Sequence, residues 1–367
     1  VLFHTLAFAT FFAVALLGGW LLAVPRVPRT ARTVFLLAMS YGFYAGWDVR
    51  YLPLIFASST VDFALARAVA RAATPRRKRW LLAATVALNL TFLGYFKYAN
   101  FALDNLSALR ALATGEAGVG ALDVLRVALP PVGVSFFTFE SMSYVIDVYR
   151  GDLEAHESYL EYLLFVAFFP HLVAGPIVRP RDLLPQLAAA PSLTRAEASS
   201  ALFLVAVGLL KKVALADPLA LNLVDRVFAQ PLRYSAVETL AAVYGYALQI
   251  YFDFSGYTDV AIGCAALLGV RFPPNFAQPY QSASLTDFWR RWHISLSTWL
   301  RDYLYVPLGG NRRGSGRTYV NLMLTMLLGG LWHGAAWTFV FWGFLHGLGL
   351  GVNRFVERRS AKASDAP

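Results

Sequence analysis

Apolar residues run continuously along this chain, and short polar or basic stretches separate one run from the next. A helix needs about 20 residues to cross hydrocarbon. Runs near that length lie at about 2–24, 34–47, 51–70, 80–97, 131–149, 158–178, 199–216, 235–254 and 256–270, with a final pair inside 318–353. Transmembrane β-strands alternate apolar and polar positions, and these runs do not. The pattern predicts an all-α polytopic membrane protein with roughly eight to ten membrane segments, some short enough to be re-entrant. The first run, "LFHTLAFATFFAVALLGGWLLAV", is too long for a signal peptide and lacks a basic leader, so it reads as a retained first helix.

Composition agrees with that pattern. With 57% hydrophobic and 15% charged residues and a mean hydropathy of +0.52, a soluble chain of 367 residues could not hide its apolar surface. The net charge of +10 resides between the runs: Arg26, Arg29 and Arg32, then "RAATPRRKRW", then Arg312, Arg313 and Arg317. Basic loops two spans apart predict a shared cytoplasmic side, so topology explains the charge and no nucleic-acid partner is implied. The expected setting is a bacterial inner membrane, crossed several times by a chain in contact with its lipids. The stretch 100–131 predicts a surface helix on the outer interface. Residues 1–353 form one expected membrane domain, and the polar tail 354–367 is expected to be disordered. A lone Cys264 excludes an intrachain disulfide, and neither a phosphate-binding glycine loop nor a Gly-x-Ser-x-Gly elbow occurs.

Within this apolar background "DFWRRWHISLSTWLRDYLYVPLGGNRRG" (287–314) gathers Asp287, Arg290, Arg291, His293, Arg301 and Asp302. On a continuous helix, Phe288, Trp292, Trp299 and Tyr303 share one face, and the polar residues fill two others. A lipid-facing span does not look like that. An interfacial helix with snorkelling arginines does, and so does a re-entrant helix lining a wet cavity. Asp287 and Arg291 stand at i,i+4.

The second polar intrusion is His333 in "YVNLMLTMLLGGLWHGAAWTFVFWGFLHG". From Tyr319 to His333 a helix climbs only ~21 Å, against ~30 Å of hydrocarbon. Gly329, Gly330 and Gly334 would permit a break or a close approach of helices. Burial keeps an imidazole neutral, and a neutral imidazole is a competent general base. The same residue also suits a structural role, donating one hydrogen bond between helices. His171 lies between Pro170 and Pro176; His4, His156 and His346 read as loop or packing residues. A zinc site from His293 and His333 lacks further ligands.

Several ordered segments resemble the membrane-bound O-acyltransferases, and within them the bacterial alginate O-acetylase branch. They are "FKYANF" (96–101), "LPPVGVSFFTFESMSYVIDVYRG" (129–151), "FFPHLVAGPIVRPRDLLPQL" (168–187), "GLLKKVALADPLA" (208–220) and "YALQIYFDFSGYTDVAIGCAALLGVRFPPNFAQPY" (246–280), followed by the 287–314 stretch and "GGLWHGAAWTFVFWGFLHG" (329–347). The resemblance implies a helical bundle with re-entrant and interfacial helices around a central channel. It also implies transfer of an acyl group, commonly acetyl, from a cytoplasmic thioester such as acetyl-CoA. That donor is a co-substrate, and no bound cofactor is expected. The acceptor is an exported polysaccharide such as alginate, and a periplasmic acetyltransferase partner is implied. Members generally carry further C-terminal spans than this chain does. The histidine of the Trp-His-Gly segment, His333, is the implied catalytic residue, and His293 is the second. Arg290, Arg291, Trp292, Arg301, Asp302 and Trp332 are the candidate substrate-binding residues. Two rival readings use the same polar groups: a polysaccharide or lipid-linked sugar transporter, for which no internal repeat is visible, and an inert scaffold for a periplasmic acetylase.

Overall fold

The computed structural model describes residues 3–364, all of whose regular elements are helical. By internal contacts the chain falls into two compact units, each discontinuous in sequence. One comprises Val1–Lys78 and Tyr144–Asn275, the other Arg79–Ser143 and Phe276–Pro367.

In the first unit, Thr5 opens the helix Leu6–Leu21 by accepting the Phe8 amide at 3.2 Å. The end of that helix meets the end of the long helix Ala236–Leu267. Trp20 Nε1 donates to the Leu267 carbonyl at 2.9 Å, and Arg32 donates to the carbonyls of Gly19 (3.2 Å) and Leu268 (2.7 Å). Terminal carbonyls lack intrahelical donors and carry the negative end of the helix dipole, so a guanidinium satisfies both needs. Arg32 is only 7% exposed. The sequence reading placed it among the cytoplasmic loop charges; it is instead an internal clamp.

The helices Arg195–Leu209 and Ala236–Leu267 cross at small residues. A Cβ on Gly208 would stand 2.6 Å from the Gly256 carbonyl oxygen, and one on Gly263 would stand 2.8 Å from that of Ala201. In lipid, where burying apolar surface gives no drive, such close backbone approach is what holds helices together. Beside the crossing, Lys211 pairs with Asp259 at 2.5 Å, and Lys212 bridges Asp217 and Asp253, each at 2.7 Å. The chain there is wound in π-helical turns, Leu210–Ala216 and Ala220–Val224.

Among the described residues, three helical runs are long and apolar enough to cross a membrane: Arg29–Arg71, Pro75–Thr114 and Arg195–Ala229. Leu6–Leu21 is a shorter apolar helix. Other expected spans have a different form. The segment 158–178 divides into Tyr159–Ala167 and Phe169–Leu172, and from Tyr162 to Phe169 no residue is more than 2% exposed. A piece wrapped on every side by protein is core, not a lipid-facing span. The runs 235–254 and 256–270 merge into the single helix Ala236–Leu267, which carries Asp253 and Asp259.

In the second unit the expected surface helix at 100–131 is also redistributed. Residues Ala99–Thr114 continue the preceding helix through a π-helical turn, Gly94–Tyr98, and a 3-10 turn follows at Gly120–Leu125. Asn100 ties this loop down, exchanging hydrogen bonds with the Val127 backbone at 2.8 and 2.9 Å. Ser315–His333 and Trp337–Ser364 form a hairpin whose arms approach at glycine. A Cβ on Gly330 would lie 2.3 Å from the Phe339 carbonyl oxygen, and one on Gly343 would lie 2.4 Å from that of Met326. The tail expected to be disordered from 354 is therefore helical through Ser364, because it extends this second arm; 365–367 lie outside the described residues.

Candidate active site

The continuous helix expected over 287–303 is broken at its histidine. Ser284 caps Leu285–Arg291 by accepting the Asp287 amide at 3.1 Å. Trp292 is extended, and His293 adopts the left-handed conformation (φ 43°, ψ 56°) before a second short helix, Ile294–Leu300. A residue with a Cβ holds that conformation at a cost on the order of 1–3 kcal/mol. Two bonds secure the break: the Ala277 amide donates to the Arg291 carbonyl at 3.0 Å, and Ser297 Oγ donates to the Trp292 carbonyl at 3.1 Å. His293 ends up 1% exposed, with its Nδ1 3.5 Å from Ser295 Oγ.

His333 is the last residue of the helix Ser315–His333. The end of this helix is gripped by the segment "FKYANF". Tyr98 donates from its hydroxyl to the Leu331 carbonyl at 2.7 Å. Lys97 donates to the Trp332 carbonyl and to Ser135 Oγ, the latter at 2.9 Å, and its ammonium stands 5.3 Å from the Trp332 ring centre. A cation at the carbonyl end complements the helix dipole and occupies carbonyls with no intrahelical donor. Phe101 and Asn105 then reach Trp337, which begins the second arm: the ring centres of Phe101 and Trp337 lie 5.7 Å apart, and the indole donates to Asn105 Oδ1 at 2.8 Å. The turn carrying His333 is thus held from both ends.

Trp332 joins the two imidazoles. Its ring centre lies 6.0 Å from that of His293 and 5.1 Å from that of His333, both edge-on. Phe136 and Phe139 pack against the same indole at 5.5 Å. Trp299 stacks on Phe139 at 3.7 Å and donates from Nε1 to the Phe139 carbonyl at 3.1 Å, which fastens the second short helix to this aromatic group.

His333 opens onto a cavity of about 640 Å³, a size suited to a small-molecule ligand. Its walls carry Arg290, Arg301 and Arg354, the hydroxyls of Ser297 and Thr298, and the indoles of Trp289 and Trp342. Trp342 stands 5.1 Å from His333 and 4.4 Å from His346, edge-on to the first and tilted to the second. Of the residues singled out from sequence, His333, Arg290 and Arg301 line this cavity and His293 does not; His293 and His333 each lie edge-on to Trp332. Arg291 is paired with Asp287 at 2.9 Å, and Asp302 holds Arg301 at 2.7 Å. Trp292 packs with Phe276 and Phe288 at 5.1 and 5.6 Å. Trp289, Trp342, Arg354 and Lys97 were missed. Only Lys97 left a signal, as a lone cation in an apolar run.

A helical membrane protein with an imidazole, guanidiniums and hydroxyls around one cavity has the side chains a group-transfer enzyme needs. The comparisons place it more closely: the chain belongs to the MBOAT, membrane-bound O-acyltransferase family, which its residues 137–366 match. It is 46% identical over 343 residues to "Probable alginate O-acetylase AlgI" of Azotobacter vinelandii, covering 93% of this chain and 67% of that protein. The protein of the same name in Pseudomonas aeruginosa is 46% identical over 357 residues, 96% of this chain and 66% of the relative. The "Peptidoglycan O-acetyltransferase" of Helicobacter pylori is 35% identical over 390 residues, 99% and 72%. The chain therefore spans between 61% and 67% of the length of the relatives named alginate O-acetylase.

Proposed function

We propose that this chain is the transferase portion of a multi-pass O-acyltransferase of a bacterial inner membrane. It passes an acyl group, acetyl on the strength of its relatives' names, from a cytoplasmic thioester such as acetyl-CoA to hydroxyls of an exported polysaccharide such as alginate. A periplasmic acetyltransferase partner completes the modification of the polymer. The observation that carries the reading is His333: an imidazole on the wall of a cavity that also presents arginines and hydroxyls, at a helix end clamped by Lys97 and Tyr98.

In the reaction, the neutral imidazole of His333 takes the proton of the acceptor hydroxyl as its oxygen attacks the thioester carbonyl carbon. The tetrahedral intermediate collapses, the C–S bond breaks, and the thiolate leaves with the proton returned by the imidazolium. Arg290, Arg301 and Arg354 suit the phosphates of a thioester donor. His293 acts through its edge-on contact with Trp332, holding the indole and with it the His333 ring. Arg291, Asp302 and Trp292 shape the same short helices. General-base catalysis contributes about 10²–10⁴-fold. His333→Ala should lower transfer of labelled acetyl groups in reconstituted vesicles by that factor, with the protein still in the membrane. Undiminished transfer by the variant would end the assignment.

A further inference from the structure

The first unit holds a second concave site that the acyl-transfer reading does not use. On the helix Leu52–Arg71, Phe63, Arg67 and Arg71 recur every four residues and form one stripe. Beside it Ala64 and Ala68 carry only methyl groups, so the helix surface is notched there. The chain turns at 72–74 and returns as the helix beginning at Pro75, which brings Arg77 to the same notch. The result is a cleft of about 490 Å³ lined by three arginines, one phenyl ring and the two alanines Ala64 and Ala68. The Arg67 guanidinium sits 5.5 Å from the Phe63 ring centre, which fixes its direction. No carboxylate lines the cleft, and Arg67, Arg71 and Arg77 form no ion pair among the described residues. Three fork-shaped donors lining one cleft without an acid suit a phosphate.

We infer that this cleft binds the phosphodiester headgroup of an anionic phospholipid. Two features favour a lipid over a free phosphate. The cleft lies where the apolar run Arg29–Arg71 gives way to the basic turn "RAATPRRKR", the depth at which headgroups sit. The same helix carries Phe63, Ala64 and Ala68 in the cleft and, further into the run, the exposed apolar side chains of Val61 and Phe56, which would meet an acyl chain.

The test uses the full chain in phosphatidylcholine nanodiscs doped with phosphatidylglycerol, with retained lipid counted by native mass spectrometry. A parallel arm adds inorganic phosphate alone in detergent. Wild type should retain phosphatidylglycerol in preference to phosphatidylcholine. Arg67→Gln, Arg71→Gln and Arg77→Gln should each weaken retention roughly fivefold. Ala64→Leu, which fills the notch at an exposed position without changing charge, should weaken it as well, whereas Lys78→Gln, outside the cleft, should not. Equal losses from Lys78→Gln and the cleft variants would overturn the site in favour of diffuse attraction. Saturable binding of inorganic phosphate with no preference between the two lipids would overturn the lipid as its ligand.

Discussion

His293 shows how much one residue can decide. As a member of a regular helix its ring would have faced a polar stripe with Ser297 and Arg301. In the left-handed conformation it ends one helix, begins another and turns inward against Trp332. Glycine takes that conformation without the steric cost that a Cβ incurs. His293→Gly should therefore be more thermostable than His293→Ala by about 1 kcal/mol, although both lack the imidazole. Equal melting temperatures would show that the backbone there is unstrained. Periodicity carries no information on this point, because it assumes one conformation for every residue it counts.

At the scale of elements, the segment bearing His333, to which the proposed function assigns catalysis, depends on what grips it. The carbonyls of Leu331 and Trp332 are taken by Tyr98 and Lys97, so the turn bearing His333 is positioned by a segment more than two hundred residues earlier. Lys97→Met leaves the Trp332 carbonyl without its donor and loosens the indole that holds the imidazole. Misplacing a catalytic group by about 1 Å costs on the order of 10²-fold in rate, so Lys97→Met should lower kcat by ~10- to 100-fold with KM little changed. Steady-state kinetics on the reconstituted protein would decide it; a loss confined to KM would move Lys97 to the donor-binding wall. From sequence, Gly329, Gly330 and Gly334 allowed either a break or a close approach; in the structure the approach is made by Gly330 and by Gly343, neither of which leaves room for a side chain. The two outcomes could not be told apart beforehand, because a short glycine motif reads the same whether the helix breaks there or is merely crossed. In fact the helix persists through His333 and yields only at Gly334.

At the scale of the molecule, the two units separate stability from chemistry. Every residue assigned to the reaction, together with Lys97, Tyr98 and the aromatic group around Trp332, belongs to the second unit. The Arg32 clamp and the glycine crossing at Gly208 belong to the first. Arg32→Met removes charge-assisted hydrogen bonds to two helix ends, which should cost about 1.5–3 kcal/mol each. The expected outcome is a lower melting temperature with unaltered KM in the fraction that remains folded, whereas His333→Ala should lower turnover and leave melting unchanged. A raised KM in the Arg32 variant would break that separation.

The linear chain settled what depends on local composition and order: a helical membrane protein and the ordered segments of its family; it also pointed to His333, which lines the cavity. Hydrophobic periodicity and motif order survive in one dimension, so these features were readable before any coordinates. Only the tertiary structure decided that Arg32 is an internal clamp, that 162–169 is core, that His293 packs on Trp332, and that Trp289, Trp342 and Arg354 share a cavity with His333. Each of those facts joins residues far apart in the chain or turns on a single backbone dihedral. A carbonyl that needs a donor gives no sign in sequence of which distant side chain will supply it.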